Sequence, residues 1–133
     1  ADSVAYTFYF IDVHHDDGIR REFLKPGVVP KIPFGALIPK GSSHLLIAGR
    51  SVSSDRLANS AVRVQASCMA MGQVAGAAAA LGVQLGCASK DVPVNRIKRL
   101  LKDHQAIVPS RADSLNFPFE PPSRPYRIKL GVA

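Results

Sequence analysis

The 133-residue sequence is poor in cysteine and has no spacing of cysteine and histidine that is typical of a metal site. Cys68 and Cys87 are too few for a disulfide framework, and no signal peptide precedes the first apolar segment. We therefore expect a cytoplasmic protein rather than a secreted one, with no bound metal. The longest apolar run, 60–84, is rich in alanine and is interrupted by Arg63 and by glutamines, so no membrane span is expected.

A nucleic-acid recognition motif is also missing. The net charge of +7 would suit an acidic partner, but no such motif accompanies it. One basic cluster falls on a predicted helix whose other face is apolar, and it consists of Arg96, Lys98, Arg99 and Lys102. A solvated helix face explains this cluster, so nucleic acid is not expected as a partner.

The first third of the sequence predicts a small β-region. Aromatic and β-branched residues at 4–13 predict a strand. Asp16, Asp17 and Gly18 predict a turn, after which 19–24 returns as the partner strand of a hairpin. Prolines bound the segment 32–38, so we expect it to be an edge strand or an irregular crossover.

The central part predicts a strand, a polar loop and a long helix. Residues 45–48 are wholly apolar, which is typical of a short strand in a parallel sheet that is covered on both faces. One helix is expected over 60–81, with Gly82 and Gly86 as stop signals. Gly72 and Gly76 fall on one face of this helix, where we expect them to pack against a neighbouring backbone.

A second helix is predicted after Asp91, its expected N-cap, with Pro93 in the first turn. Beyond Pro109 the sequence is polar and proline-rich, which predicts an extended tail.

Five short motifs carry a resemblance to a known family. They are 32–41 (IPFGALIPKG), 45–50 (LLIAGR), 63–64 (RV), 68–70 (CMA) and 72–76 (GQVAG). In this order and spacing they resemble the C-terminal, cofactor-closing segment of FAD-dependent oxidoreductases in the glutathione-reductase-like superfamily. The resemblance implies an α/β fold for the parent enzyme. This chain is then a C-terminal fragment of a doubly wound FAD-binding fold, α+β on its own, with part of the substrate-domain sheet.

The resemblance also divides the chain into three parts. Residues 1–40 correspond to the end of the substrate-domain sheet and its crossover, 41–108 to the last strand and helices of the FAD-binding domain, and 109–133 to the proline-rich tail. The G-x-G-x-x-G fingerprint, whose glycines let the backbone approach the FAD pyrophosphate, is absent. We therefore expect a missing N-terminal FAD-binding part as partner and no FAD bound to this chain alone. Homo-oligomers are expected to cover its strand edges.

Cofactor contacts are implied around the central motifs. Gly49 lets the backbone pass close to the cofactor, and Arg50 is expected near the ribityl or pyrophosphate of FAD. The start of the long helix is expected to face the flavin, where its free N–H groups stabilise negative charge. This start comprises Ser60, Ala61, Val62 and Arg63. For the two arginines, an ion pair or a solvent-facing position remains the alternative.

Two further residues are candidates for substrate chemistry. Asp12 and His14 share one face of the first strand, which the resemblance places in the substrate-facing domain. His14 is the candidate catalytic proton donor or acceptor, with a structural hydrogen bond as the alternative. A T-H-E-like triplet of the family is replaced here by Asp55, Arg56 and Leu57. Arg56 is therefore a candidate for holding an anionic substrate.

The resemblance implies hydride transfer between an organic substrate and FAD in the parent enzyme, with this chain inactive on its own. The alternative is a non-enzymatic binding or assembly domain that keeps the scaffold without the cofactor. The absent fingerprint favours the alternative for this chain, whereas the dense motif match favours an oxidoreductase for the parent.

Overall fold

The computed structural model describes residues 2–25 and 27–110, in which helices are combined with two small antiparallel sheets. The strands are β1 (Ser3–Tyr6), β2 (Ile11–His15), β3 (Gly18–Glu22) and β4 (Lys31–Pro33). The helices are α1 (Arg56–Val62), α2 (Gln65–Leu85) and α3 (Val94–Asp103). Short 3₁₀ turns lie at Phe34–Leu37, Gly49–Ser51 and Ser89–Asp91. The expected proline-rich tail falls outside the described residues from 111 onward.

The hairpin of β2 and β3 confirms the turn predicted at 16–18. Asp16 and Asp17 connect the strands, and Gly18 begins β3 with a φ of +143°, a value that glycine adopts without strain. The ladder places Asp12 opposite Arg21. The expectation of a single strand over 4–13 is wrong, because β1 and β2 are separate strands that pair with different partners.

The other sheet joins β1 to β4 at the edge of the core. The two strands are antiparallel, with Ala5 opposite Ile32 and an irregularity between Ser3 and Ala5. The amide of Thr7 donates to the carbonyl of Pro30 at 3.0 Å and so extends the pairing beyond β1. The proline-bounded segment 32–38 forms both expected structures, an edge strand followed by the irregular 3₁₀ turn.

One face of α2 forms the centre of the hydrophobic core. Met71, Val74, Ala78 and Leu81 are buried at the three- and four-residue spacing of a single helix face. This face packs on β1 and α3, where Val4 and other apolar side chains complete the core.

The ends of α2 and α3 follow the sequence only in part. Gly86 caps α2 in the left-handed conformation, with a φ of +64°, as predicted, whereas Gly82, the other predicted stop signal, lies inside the helix. The predicted cap of α3 is wrong, because Asp91 belongs to the preceding 3₁₀ turn and Pro93, in an extended conformation, is the N-cap. The amphipathic pattern of α3 is confirmed, since Ile97 and Leu101 are both buried.

Two helices replace the single helix predicted over 60–81. α1 starts under the cap of Asp55, whose carboxylate accepts a hydrogen bond from the amide of Ala58 at 2.8 Å. The helix ends at Val62 with Arg63 as its C-cap, and Val64 takes an extended conformation (φ −72°, ψ 152°) before α2. Asp55 therefore starts α1 earlier than the apolar periodicity indicates, and the extended conformation of Val64 separates α1 from α2.

The strand predicted at 45–48 does not form among the described residues. The amide of Ile47 donates to the carbonyl of Leu37 at 2.8 Å, but the segment joins no sheet. A parallel strand requires a neighbouring strand beside it, and the described part of the chain supplies none at this position. The described part of the chain therefore combines helices with antiparallel sheets and contains no doubly wound sheet.

The close packing predicted for Gly72 and Gly76 is wrong. Both are exposed, and no atom outside their own helix turn lies within 4 Å of the position that a Cβ would take. Gly82 is the closely packed glycine of α2, since its Cβ would stand 3.2 Å from the carbonyl oxygen of Cys87. The core lies on the face of α2 that carries Met71, which leaves the first two glycines on the opposite side.

Among the described residues, α2 has the length and apolar composition that could cross a membrane. About a third of its most apolar window, 33%, is buried in the core, and core helices of soluble proteins pass the same test. The expectation that the chain has no membrane span therefore stays a prediction.

Candidate functional site

Four of the predicted site residues meet at an open depression between β2 and α1. It has a volume of about 270 Å³ and is lined by Asp12, Val13, His14, Arg56, Asn59, Ser60 and Arg63. The lining residues after 55 are three or four positions apart, so they share one face of α1 and its end. The structure therefore brings His14, Arg56, Ser60 and Arg63 together, although from a helix face rather than from a helix start.

Hydrogen bonds fix the two walls of this depression to each other. The Nη2 of Arg56 donates to the carbonyl oxygen of His14 at 2.8 Å. The amide of Asp12 donates to the Oγ of Ser60 at 3.2 Å, and this hydroxyl donates in turn to the carbonyl of Leu57 at 2.7 Å. The main chain of β2 is thus held against α1, which sets the position of the side chains on both walls.

The carboxylate of Asp12 lies at the floor of the depression, near two arginines and a histidine. Its side chain is only 12% exposed, and Oδ2 lies 3.6 Å from both the Nε2 of His14 and the Nη2 of Arg63. Oδ1 lies 3.6 Å from the Nε of Arg21 and accepts no hydrogen bond from the described residues. Its negative charge therefore lies at ion-pair distance from two guanidinium groups, those of Arg21 and Arg63.

Arg21 lies beside the Asp12 carboxylate and Asn59 lines the depression, although no sequence motif singles out either residue. The two-residue turn at 16–17 fixes the hairpin register, and that register alone places Arg21 opposite Asp12. Asn59 follows Arg56 by three residues, so the capping signal of Asp55 would have placed both on one helix face.

Gly49 and Arg50 lie in a 3₁₀ turn beside α2 rather than at the end of a strand. Gly49 has a φ of +75°, and a Cβ there would stand 3.9 Å from the Cβ of Cys68. The Nε of Arg50 donates to the carbonyl oxygen of Arg63 at 3.2 Å. The two arginines predicted to approach the cofactor are thus linked at the junction of α1 and α2.

The predicted helix N-terminus is displaced in the structure. Ser60, Ala61 and Val62 form the last turn of α1 and Arg63 is its C-cap, because Asp55 starts the helix upstream. The N-terminus of the long helix instead follows Val64, a cap that makes no side-chain hydrogen bond. The first N–H groups of a helix have no partner within it, so the donors that are free of an intrahelical partner lie in the first turn of α2.

A buried hydroxyl pair fixes this junction to Thr7, the residue that follows β1. The Oγ1 of Thr7 donates to the carbonyl oxygen of Ala61 at 2.9 Å and accepts a hydrogen bond from the Oγ of Ser67 at 3.0 Å. Thr7 and Ser67 are each 2% exposed. The end of α1 and the start of α2 are therefore held by the same residue just after β1.

An apolar groove opens beside the first turns of α2. It has a volume of about 680 Å³ and is lined by Tyr6, Phe8, Tyr9, Val64, Ala66, Ser67, Met69, Ala70, Gln73 and Ile107. Phe8, Met69 and Ile107 are 53%, 68% and 70% exposed, so apolar surface faces the opening. An apolar groove next to the N-terminus of a helix suits an aromatic ring with an electron-rich edge.

The family model for FAD-dependent oxidoreductases matches residues 1–101. The chain belongs to this family. The matched region contains the whole depression and every residue of the groove except Ile107. Neither a curated protein nor a solved structure matches the chain.

For an FAD-dependent oxidoreductase, the cofactor of the parent enzyme is FAD. The groove and the free donors of α2 suit the flavin ring, because the reduced ring gathers negative charge along its pyrimidine edge. A helix cap without a side-chain partner leaves those donors available to a ligand. The residues present therefore fit the flavin end of this cofactor.

Proposed function

We propose that this chain is the C-terminal portion of an FAD-dependent oxidoreductase of the glutathione-reductase-like superfamily, which transfers hydride between an organic substrate and FAD. The family match over residues 1–101 and the order of the five motifs support the proposal. The observation that carries it is the apolar groove beside the uncapped start of α2. In the parent enzyme the chain would complete a doubly wound FAD-binding fold together with an N-terminal part.

The groove and the first turn of α2 take the flavin end of the cofactor in this proposal. Bound FAD supplies the hydride-transfer chemistry. The N–H groups of the first turn stabilise negative charge on the ring through the positive end of the helix dipole. Arg50 and Arg63 add positive charge at the same junction, where the first donates to the main chain of the second.

We assign proton transfer to His14. Its imidazole is 61% exposed at the rim of the depression, and the nearby Asp12 carboxylate favours one orientation of the ring. The main chain of His14 is fixed by Arg56 at 2.8 Å, so the side chain starts from a defined position. Removing hydride from a carbon that bears a hydroxyl or an amine also requires a proton acceptor, which is the role of this histidine.

Riboflavin tests the flavin site on the chain itself, because it carries the ring without phosphates. In an NMR titration we expect saturable shifts of the amides in the first turn of α2 and none in α3. Met69→Glu places a carboxylate at the groove and is expected to weaken binding about tenfold, since a charge must lose water there. Val83→Glu, the same change at an 86% exposed position near the other end of α2, is the control. Equal binding by both variants would refute this flavin position.

A further inference from the structure

We propose that the depression between β2 and α1 binds the carboxylate of a small organic acid, with Arg56 as its main ligand. That this acid is the substrate rests on the proposed function. The binding itself requires no flavin, because every group involved lies in this chain.

The charges of the depression are arranged in depth. Asp12 is the acidic lining residue, and its side chain is 12% exposed at the floor. Arg63 and His14 stand above it with side chains 40% and 61% exposed, and Arg56 is exposed at the same rim. An approaching anion therefore meets the guanidinium groups of Arg56 and Arg63 first, while the floor carboxylate already lies at ion-pair distance from Arg63 and Arg21.

Arg56 is held in place and still has donors to offer. One nitrogen, Nη2, donates to the carbonyl of His14 at 2.8 Å, which restrains the guanidinium against β2. A guanidinium carries five N–H donors in a fixed fork that matches the two oxygens of a carboxylate. Asn59, on the same face of α1, lines the depression and adds an amide that can donate to the same group.

The floor also sets the charge that the ligand can carry. A dianion that fills the depression would bring its second charge towards Asp12, whereas a monocarboxylate leaves that region to uncharged atoms. A volume of about 270 Å³ has room for a small acid. We therefore expect a preference for small monocarboxylates over inorganic phosphate.

Sodium lactate is the probe for this site, titrated into the purified chain at constant ionic strength and followed by NMR. We expect saturable shifts at His14, Arg56 and Asn59, with about tenfold weaker binding by Arg56→Gln, because charge-assisted hydrogen bonds are lost. Arg96→Gln removes the same charge from an exposed position on α3 and should bind like the native chain. Arg56→Lys keeps the charge but lacks the planar fork of donors, so its affinity for lactate should lie between that of the native chain and that of Arg56→Gln.

Three results would overturn the inference. They are shifts that rise linearly without saturation, equal losses in Arg56→Gln and Arg96→Gln, and phosphate binding as tight as that of lactate. Amide dispersion like that of the native chain shows that each variant is folded. If Arg56→Gln does not fold, Arg56→Lys is compared with Arg96→Gln in its place. Lactate binding without riboflavin binding would count against the flavin position alone, and the reverse result against the carboxylate site alone.

Discussion

Replacing the two exposed glycines of α2 with alanine is expected to stabilise the chain. Gly72 and Gly76 lie inside a helix, and a Cβ at either position would have no atom within 4 Å outside its own helix turn. Alanine therefore introduces no clash. It also reduces the conformational freedom that the unfolded chain loses on folding.

The expected gain is about 1 kcal/mol for each substitution, which is the usual difference between glycine and alanine in a helix interior. For a chain of this size that free energy corresponds to a rise of about 4 °C in Tm. The two positions do not contact each other through side chains, so the double variant should show roughly the sum of the two effects.

Gly82→Ala is the matched control within the same helix. Its Cβ would lie 3.2 Å from the carbonyl oxygen of Cys87 and 3.6 Å from the Cγ2 of Val92, so the gain in helix propensity is opposed by a close contact. We expect the free energy of unfolding of this variant to lie at least about 1 kcal/mol below that of Gly76→Ala. Urea unfolding followed by circular dichroism at 222 nm, the usual helix band, measures both on one scale. A loss of stability in Gly76→Ala would refute the open environment described for this face.

Three further expectations concern the junction, the cofactor and the state of assembly. Thr7→Val should cost about 1–3 kcal/mol in urea unfolding, because it leaves the buried hydroxyl of Ser67 and the carbonyl of Ala61 without their partner, whereas Ser67→Ala should cost less. The purified chain should be colourless at about 450 nm, since it lacks the pyrophosphate-binding glycines, and a tightly bound yellow cofactor would contradict this. Sedimentation at micromolar concentration should show a homodimer or larger species, because α2 exposes Met69 and Val83, and a monomer without accessible apolar surface would count against it.

The predictions from sequence succeed where the signal is local. The turn residues 16–18 identify the hairpin of β2 and β3, and its two-residue connection is consistent with the observed register. Gly86 ends α2 because a left-handed residue is needed there, and glycine provides it at no steric cost. The apolar spacing of α3 likewise identifies Ile97 and Leu101 as buried before any partner is known.

The predictions fail where the outcome depends on a partner or on a competing signal. Residues 45–48 have the composition of a buried strand, but a parallel strand is defined by its neighbours, and none lies beside it in the described residues. The start of the long helix was displaced by Asp55, a capping residue inside a segment that otherwise has loop composition.

At the candidate site the sequence predicts which residues take part, but it fails to predict the element that presents them. His14, Arg56 and Arg63 do come together, but the resemblance places Arg63 at the start of a helix, whereas the structure makes it the end of α1. Asp12 becomes the centre of their charges only when the hairpin register and the helix face are combined. Motif spacing could identify the participants, but not the surface on which they meet.

The exposed glycine face of α2 connects the stability of the chain with its assembly. On an exposed helix face Gly72 and Gly76 lower the stability of the chain, and their small size favours packing only where a neighbouring backbone approaches closely. If a second copy covers this face, alanine at these positions should stabilise the chain at low concentration and weaken its association as concentration rises. Sedimentation of the double variant beside the native chain separates these contributions. A dimer unaffected by both substitutions would place the interface elsewhere, whereas a weakened one would identify this face as the contact surface.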